Sequence, residues 1–105
     1  MKDIHLIEKS ALYNRVPGTK DQWITSTWTM SPQTAESLRG GTVFLHTHQK
    51  GPCYLGGKIL RCEFEPTGRY AIRFEFDPDV VNETTTNRCK NNWSVEMLLE
   101  PRATA

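Results

Sequence analysis

Two histidines separated by a single residue, His46 and His48, are the side chains of this chain best suited to bind a metal ion. Side chains two positions apart in a β-strand point to the same face, so both imidazoles can converge on one ion. Imidazole nitrogen and cysteine sulfur are ligands of transition metals, and Cys53 follows closely enough to join them. The spacing therefore predicts a transition-metal site. The alternative is two histidines on a partly exposed strand, where they cap the sheet or contact a ligand.

The glycine ahead of these histidines gives the segment a resemblance to a known motif. Gly40, five further residues and His-x-His resemble the opening of the cupin metal motif over residues 40–48. The resemblance implies a metal-binding protein or an enzyme. The carboxylate that cupins place four or five residues after the second histidine is missing, because Pro52 and Cys53 occupy those positions. The later cupin histidine is also missing, since His5 is the only other histidine.

A second group of residues combines aromatic rings with positive charges, as in proteins that bind single-stranded nucleic acid. Flat aromatic faces stack on bases, and lysine or arginine follows the phosphates. The aromatic candidates at strand ends or in loops are Trp23, Trp28, Tyr54 and Trp93, and the basic candidates in loops are Arg15, Lys20 and Lys50. The formal net charge of +1 excludes a strongly basic arm, so any basic face must be local and offset elsewhere.

The alternative interpretation of the tryptophans places them in the core. It is favoured for Trp28 and Trp93, because each alternates with apolar residues along its strand. Trp23 alternates with Thr25 and Thr27 instead, so the sequence leaves its role open.

The sequence lacks the motifs of the common enzyme classes. It contains no GxSxG, no Walker loop and no GxGxxG. The three cysteines, Cys53, Cys62 and Cys89, form no CxxC pair, which predicts reduced thiols rather than a disulfide framework. We therefore expect a protein that is not an enzyme and that has no cofactor, unless the histidines bind a transition metal.

The length of 105 residues predicts a single domain over residues 1–105. Aromatic residues make up 10% of the chain, which supplies large core side chains that disordered sequences lack. No apolar run approaches the roughly 20 residues of a membrane span, and the N-terminal segment is too short and charged for a signal peptide. The sequence thus predicts a cytoplasmic protein without a membrane partner.

Hydrophobic patterning predicts five or six strands and one short helix. The predicted strands cover 3–8, 23–30, 42–48, 53–64, 69–76 and 93–100, with loops at 10–22 and 77–92. Gly56-Gly57, inside the fourth of these strands, predict a bulge or a close backbone approach. Ser31, Pro32 and the following Gly40-Gly41 mark a helix over 31–39. The connections are too short for parallel crossovers. The predicted fold is therefore β-rich α+β, with a strongly bent antiparallel sheet or a small half-closed barrel of five to six strands and one short helix.

The order of these elements resembles the centre of PUA-like domains, especially the EVE branch. The elements that carry the resemblance are Trp28, the helix 32–39, Gly41, the strand 42–48 and the strand 54–64. The match covers about residues 23–76, and it departs from the family at Thr42, where an acidic residue is usual.

The resemblance implies a small bent barrel that binds nucleic acid, in some members with a modified or flipped base in an aromatic pocket. By position, the wall residues would be Trp23, Trp28, Tyr54 and Trp93, with Arg15, Lys20 and Lys50 beside the pocket and His46 and His48 on base edges or phosphate. The leading expectation is a binding module for nucleic acid or a small-molecule ligand. The alternatives are a metal-binding protein and an interaction protein that pairs as a homodimer through an edge strand.

Overall fold

The computed structural model describes residues 2–8, 13–49, 51–84 and 97–101, which form one mixed sheet of seven strands and one short helix. The elements are β1 (Lys2–Ile7), β2 (Asn14–Arg15), β3 (Gln22–Trp28), α1 (Pro32–Leu38), β4 (Thr42–His46), β5 (Cys53–Phe64), β6 (Tyr70–Phe76), a 3-10 turn (Pro78–Val80) and β7 (Met97–Pro101). The strand order across the sheet is β2-β3-β6-β5-β4-β1-β7.

The β-rich α+β fold with one short helix is confirmed, but the predicted sheet is wrong in three respects. Across the described residues the sheet is neither closed nor strongly curled, and it has seven strands rather than five or six. The additional strand, β2, lies inside the segment predicted as a loop. In addition, β1 runs parallel to β4. The chain between them contains β2, β3 and α1, which is long enough for a parallel connection, whereas the prediction considered only consecutive strands.

A β-bulge in β3 places two tryptophans on the same side of the sheet. Trp23 pairs with Phe74 and Trp28 pairs with Tyr70, and the register shifts between these two pairs. Phe74 and Tyr70 lie four residues apart on β6 and therefore share a face. Both tryptophans consequently contact the core, whereas unbroken alternation along β3 would place them on opposite faces of the sheet.

The bulge is stabilised by the buried hydroxyl of Thr25. This hydroxyl donates a hydrogen bond to the Ser26 carbonyl oxygen at 2.7 Å and accepts one from the backbone N–H of Ile72 at 3.0 Å. It also accepts the indole N–H of Trp28 at 3.3 Å. The polar groups that the irregular register leaves without a regular strand partner are thus hydrogen-bonded inside the protein.

Helix α1 begins and ends within one residue of the prediction. The Ser31 hydroxyl accepts a hydrogen bond from the Thr34 N–H at 3.1 Å, which is an N-cap. Gly40 follows the helix with φ of 82°, a conformation that glycine adopts without strain. A helix this short depends on packing, which the sequence predicts to occur through Ala35 and Leu38, and both residues are buried.

The core forms between α1 and the sheet. Its buried cluster consists of Ile4, Leu6, Trp28, Leu38, Val43, Leu45, Ile59, Ile72 and Phe74. The alternation along β6 predicts that Tyr70, Ile72, Phe74 and Phe76 face inward. Ile72 and Phe74 are fully buried and Tyr70 and Phe76 are half-buried, in agreement. Gly56 and Gly57 lie within the continuous strand β5, where a side chain would overlap the Val43 and Glu75 carbonyls, respectively. The predicted close backbone approach is therefore confirmed, while the register shifts of β5 fall elsewhere.

Two predicted segments are described only in part. Residues 85–92 of the predicted loop, including Cys89, and residues 93–96 of the last predicted strand lie outside the described residues. Val80 and Val81 are the apolar residues from which an anchor of this loop is expected; Val80 is buried and Val81 is half-buried. Within the described ranges no helix is long and apolar enough to cross a membrane.

Candidate functional site

A cavity of about 180 Å³ brings together three residues predicted from the sequence to bind a ligand, Arg15, Lys20 and Trp23. The remaining lining residues are Asp21, Leu55 and Phe76. They come from β2, β3, β6 and β5 and from the turn between β2 and β3, and these four strands are neighbours in the sheet. The cavity thus lies at one end of four adjacent strands, and its lining combines apolar side chains with charges of both signs.

Trp23 also belongs to an aromatic cluster, defined here as Tyr13, Trp23 and Tyr54. The Tyr13 ring contacts Trp23 edge-on at a centroid distance of 5.9 Å and contacts Tyr54 at the same distance. The Tyr54 hydroxyl donates a hydrogen bond to the Glu8 carbonyl oxygen at 2.7 Å, and burial is the main cause that raises the pKa of this hydroxyl. Burial thus keeps the Tyr54 hydroxyl protonated, and its hydrogen bond to Glu8 and its ring contact with Tyr13 hold Tyr54 in place.

The turn between β2 and β3 positions the charged residues of the cavity. The Val16 N–H donates to the Gln22 carbonyl oxygen at 2.8 Å, which closes the turn. The Arg15 guanidinium donates to the carbonyl oxygens of Thr19 and Lys20, so this arginine holds the turn as well as lining the cavity. The turn is joined to β6 at Asp21, whose carbonyl oxygen accepts the Phe76 N–H at 2.8 Å.

Two charged side chains of the cavity have no partner among the described residues. The Lys20 ammonium and the Asp21 carboxylate are exposed, and neither makes a hydrogen bond or an ion pair within the described part of the chain. Each is therefore available to a ligand. Asp21 was not among the predicted site residues, and neither were Tyr13, Leu55 and Phe76, because their convergence depends on strand order rather than on any local motif.

The other predicted aromatic and basic residues are placed differently. Trp28 is 6% exposed in the core, with its indole N–H bonded to Thr25, so it does not line the cavity. Tyr54 lies in the aromatic cluster, next to Tyr13. Lys50 and Trp93 lie outside the described residues.

The two histidines of the predicted metal site do not share a strand face. Strand β4 ends at His46, which is fully buried, and His48 lies beyond this end and is exposed. The expectation of a strand over 42–48 is therefore wrong at its C-terminal end. The chain turns here because the Gly51 N–H donates to the His48 carbonyl oxygen at 3.0 Å.

Both ring nitrogens of His46 take part in hydrogen bonds. Its Nδ1 lies 2.8 Å from the Gly51 carbonyl oxygen, which can only accept, so Nδ1 carries the proton. In the neutral ring Nε2 is then an acceptor, and His5 Nδ1, at 2.8 Å, is the donor. The His5 ring in turn stacks on Phe44 with a centroid distance of 4.4 Å. The parallel pairing of β1 with β4 creates this arrangement, which the sequence does not reveal.

The third predicted metal ligand, Cys53, is buried, and burial raises the pKa of its thiol. A raised pKa favours the protonated thiol over the thiolate that binds metals. Within the described ranges there is no group of three or more histidine, cysteine, aspartate or glutamate side chains that could hold a metal ion. The geometry therefore gives the metal site no support, and it stays a prediction from sequence.

The buried histidine should make stability depend on pH. Burial, with the charges of His5 and His48 adding to it, lowers the pKa of His46 from its ordinary value of 6.5. The unfolded chain then binds the proton more readily than the folded protein. We expect the free energy of unfolding to be highest above pH 6.5 and to fall as the pH decreases through the folded-state pKa.

Urea unfolding between neutral pH and about pH 5.5, above the range where most carboxylates titrate, measures this dependence. The variant His46→Gln cannot take up a proton, so its unfolding free energy should change less over the same range. Equal slopes for the two proteins would show that His46 is not the titrating group.

A second cavity, of about 230 Å³, lies between α1 and the β5–β6 pair. Its charged lining residues, Glu36 and Arg39, form an ion pair with each other at 4.0 Å. Cys62 also lines it, and burial raises the pKa of this thiol to about 11, so it is not a reactive thiolate. None of the residues predicted to bind a ligand lies here. The first cavity is therefore the better candidate site.

The described residues define a small β-rich α+β domain with a cavity at the end of its sheet that is lined by Trp23, Phe76 and charged residues. No family model, no curated protein and no solved structure matches the chain. The resemblances to PUA-like and cupin proteins consequently rest on sequence patterns alone and stay predictions.

Proposed function

We propose that this protein is a non-catalytic binding module that holds an unpaired base of a single-stranded nucleic acid against Trp23. The observation that supports the proposal is the cavity itself, which the Trp23 indole lines together with Arg15 and with Lys20, whose ammonium has no partner in the described part of the chain. A stacking surface next to positive charge is what single-stranded nucleic acid requires, because each base carries a planar face and each linkage a negative charge.

The cavity walls also suit a stacked base. Leu55 and Phe76 are half-buried and apolar, so a ring that enters the cavity removes their remaining surface from water. The Trp23 ring is in edge-on contact with Tyr13, and the Trp23 backbone is fixed by strand pairing opposite Phe74. A ring that is already fixed loses little freedom on binding, which favours affinity.

The first test removes the stacking surface. Stacking on one aromatic ring contributes about 1–3 kcal/mol per base, so Trp23→Ala should weaken binding of a labelled single-stranded oligodeoxynucleotide by about 5- to 150-fold. Fluorescence anisotropy at low salt measures the affinity, and circular dichroism checks that the variant folds. A matched control is Phe64→Ala, which removes a 67% exposed ring outside the cavity and should leave the affinity unchanged.

Trp23 also packs on the core, so Trp23→Ala could lose binding because it folds poorly. A second variant is therefore needed. Lys20 is exposed, so Lys20→Ala should fold normally and should weaken binding with a reduced dependence on salt concentration. The proposal is wrong if the unmodified protein binds no single-stranded oligonucleotide at low salt. It is also wrong if both variants bind as the unmodified protein does.

The alternatives from the sequence have no specific observation in their favour. A transition-metal site at His46 and His48 and an edge-strand homodimer stay predictions, as does a cytoplasmic location. Elemental analysis and native mass of the purified protein test the first two, since a stoichiometric metal or a doubled mass would support one of them.

A further inference from the structure

We infer that the cavity selects a base with a single ring and an exocyclic amino group, as in cytosine, and that Asp21 is the residue that selects it. The inference rests on the proposed function and goes beyond it, because stacking alone does not distinguish bases. Two observations carry it: the size of the cavity, and the carboxylate of the lining residue Asp21, which has no partner among the described residues.

The size of the cavity favours one ring over two. Its volume is about 180 Å³. A protein cavity of about 150 Å³ accepts benzene, so one six-membered ring fills most of the space. The cavity is open to solvent, so the fused second ring of a purine would lie in its mouth and gain no contact with the apolar side chains of Leu55 and Phe76. The fit therefore favours pyrimidines.

The negative charge of Asp21 distinguishes cytosine from uracil and thymine. An ionised carboxylate only accepts hydrogen bonds, so Asp21 is suited to the amino group of cytosine, which donates. Uracil and thymine present a carbonyl oxygen at the same position, and that oxygen would repel the carboxylate. Lys20, the neighbouring residue in the chain, is then available for the phosphate. In this arrangement Asp21 contacts the base and Lys20 contacts the backbone.

The test compares single-stranded oligo(dC) with oligo(dT) and oligo(dA) of equal length, at slightly alkaline pH where cytosine is neutral. We expect oligo(dC) to bind about tenfold more tightly than oligo(dT), as for one hydrogen-bonded base contact. Oligo(dA) should also bind less tightly, although adenine carries an amino group. Cytidine and uridine monophosphates, measured in parallel, show whether the free nucleotide is recognised or only a strand.

The variant Asp21→Asn tests whether Asp21 causes the preference for oligo(dC) over oligo(dT). Its amide both donates and accepts, so the ratio of oligo(dC) to oligo(dT) affinities should fall to about twofold or less. Asp79→Asn is the matched control, because it makes the same change of charge at an exposed aspartate that does not line the cavity. It should keep the full preference.

The outcomes separate this inference from the proposed function. If the unmodified protein binds oligo(dC) and oligo(dT) equally while Trp23→Ala weakens both, the inference is wrong and the proposed function stands. If Asp21→Asn keeps the preference for oligo(dC), or if oligo(dA) binds as well as oligo(dC), the inference is wrong. If no oligonucleotide binds, both fail together.

Discussion

Replacing Gly57 by alanine is expected to prevent stable folding. Gly57 lies in β5, near the centre of the sheet, between Val43 of β4 and Phe76 of β6. An alanine Cβ at this position would overlap the Glu75 carbonyl group and contact the Asp77 nitrogen at 2.9 Å. These are backbone atoms of the neighbouring strand and the residues after it, so no side-chain rotation removes the overlap. We expect a loss of at least about 3 kcal/mol in unfolding free energy, the upper range for overpacking.

Thermal or urea unfolding followed by circular dichroism measures this loss. Gly18→Ala is the control, because it makes the same chemical change where no atom lies within 4 Å of the added Cβ. Gly18 has φ of 78°, so the control should cost about 1–2 kcal/mol through backbone conformation alone. Equal effects of the two substitutions would mean that β5 and β6 do not approach each other closely at Gly57.

The second large effect is expected at Phe74, whose side chain is fully buried in β6. It pairs with Trp23 on one side and with Ile59 on the other, so it joins the candidate site to the core. Truncation of a buried phenylalanine to alanine typically costs about 3–5 kcal/mol, which includes the cavity that it leaves. A small domain has a total stability of roughly 5–15 kcal/mol, so Phe74→Ala should be partly or largely unfolded at physiological temperature.

Phe64 provides the matched comparison for Phe74. It is a phenylalanine in the adjacent strand β5, but its side chain is 67% exposed, the one large apolar side chain so exposed among the described residues. Phe64→Ala removes the same atoms and should change the unfolding free energy by no more than about 0.5 kcal/mol. Similar losses for the two variants would contradict the assignment of Phe74 to the core.

Much of the fold follows from local patterns along the chain. The alternation from Tyr70 to Phe76 identified β6 correctly, because a strand buried on one face leaves a period of two in its sequence. Ser31 and Gly40 identified the ends of α1, since capping depends on residues close in sequence. Strand β2 was missed, because two exposed residues leave no periodic signal.

The candidate site was predictable only in part. Arg15, Lys20 and Trp23 were identified by residue type, because aromatic and basic side chains are the ones that bind nucleic acid. The role of Trp23 remained open, since a bulge changes which face each later residue of a strand occupies. His46 and His48 were assigned to one face on the assumption of a continuous strand, which ends at the first of them.

The sequence by itself determined the class of the fold, the helix, most strands and part of the core, because these depend on spacing and on hydrophobicity. The tertiary structure decided the rest. It paired β1 with β4, which brought His5 to His46. It also placed β2, β3, β6 and β5 side by side, which brought Asp21, Leu55 and Phe76 around Trp23. Strand order depends on contacts between residues far apart in the chain. These contacts depend on which side chains pack against each other, and no local pattern in a single sequence identifies those pairs.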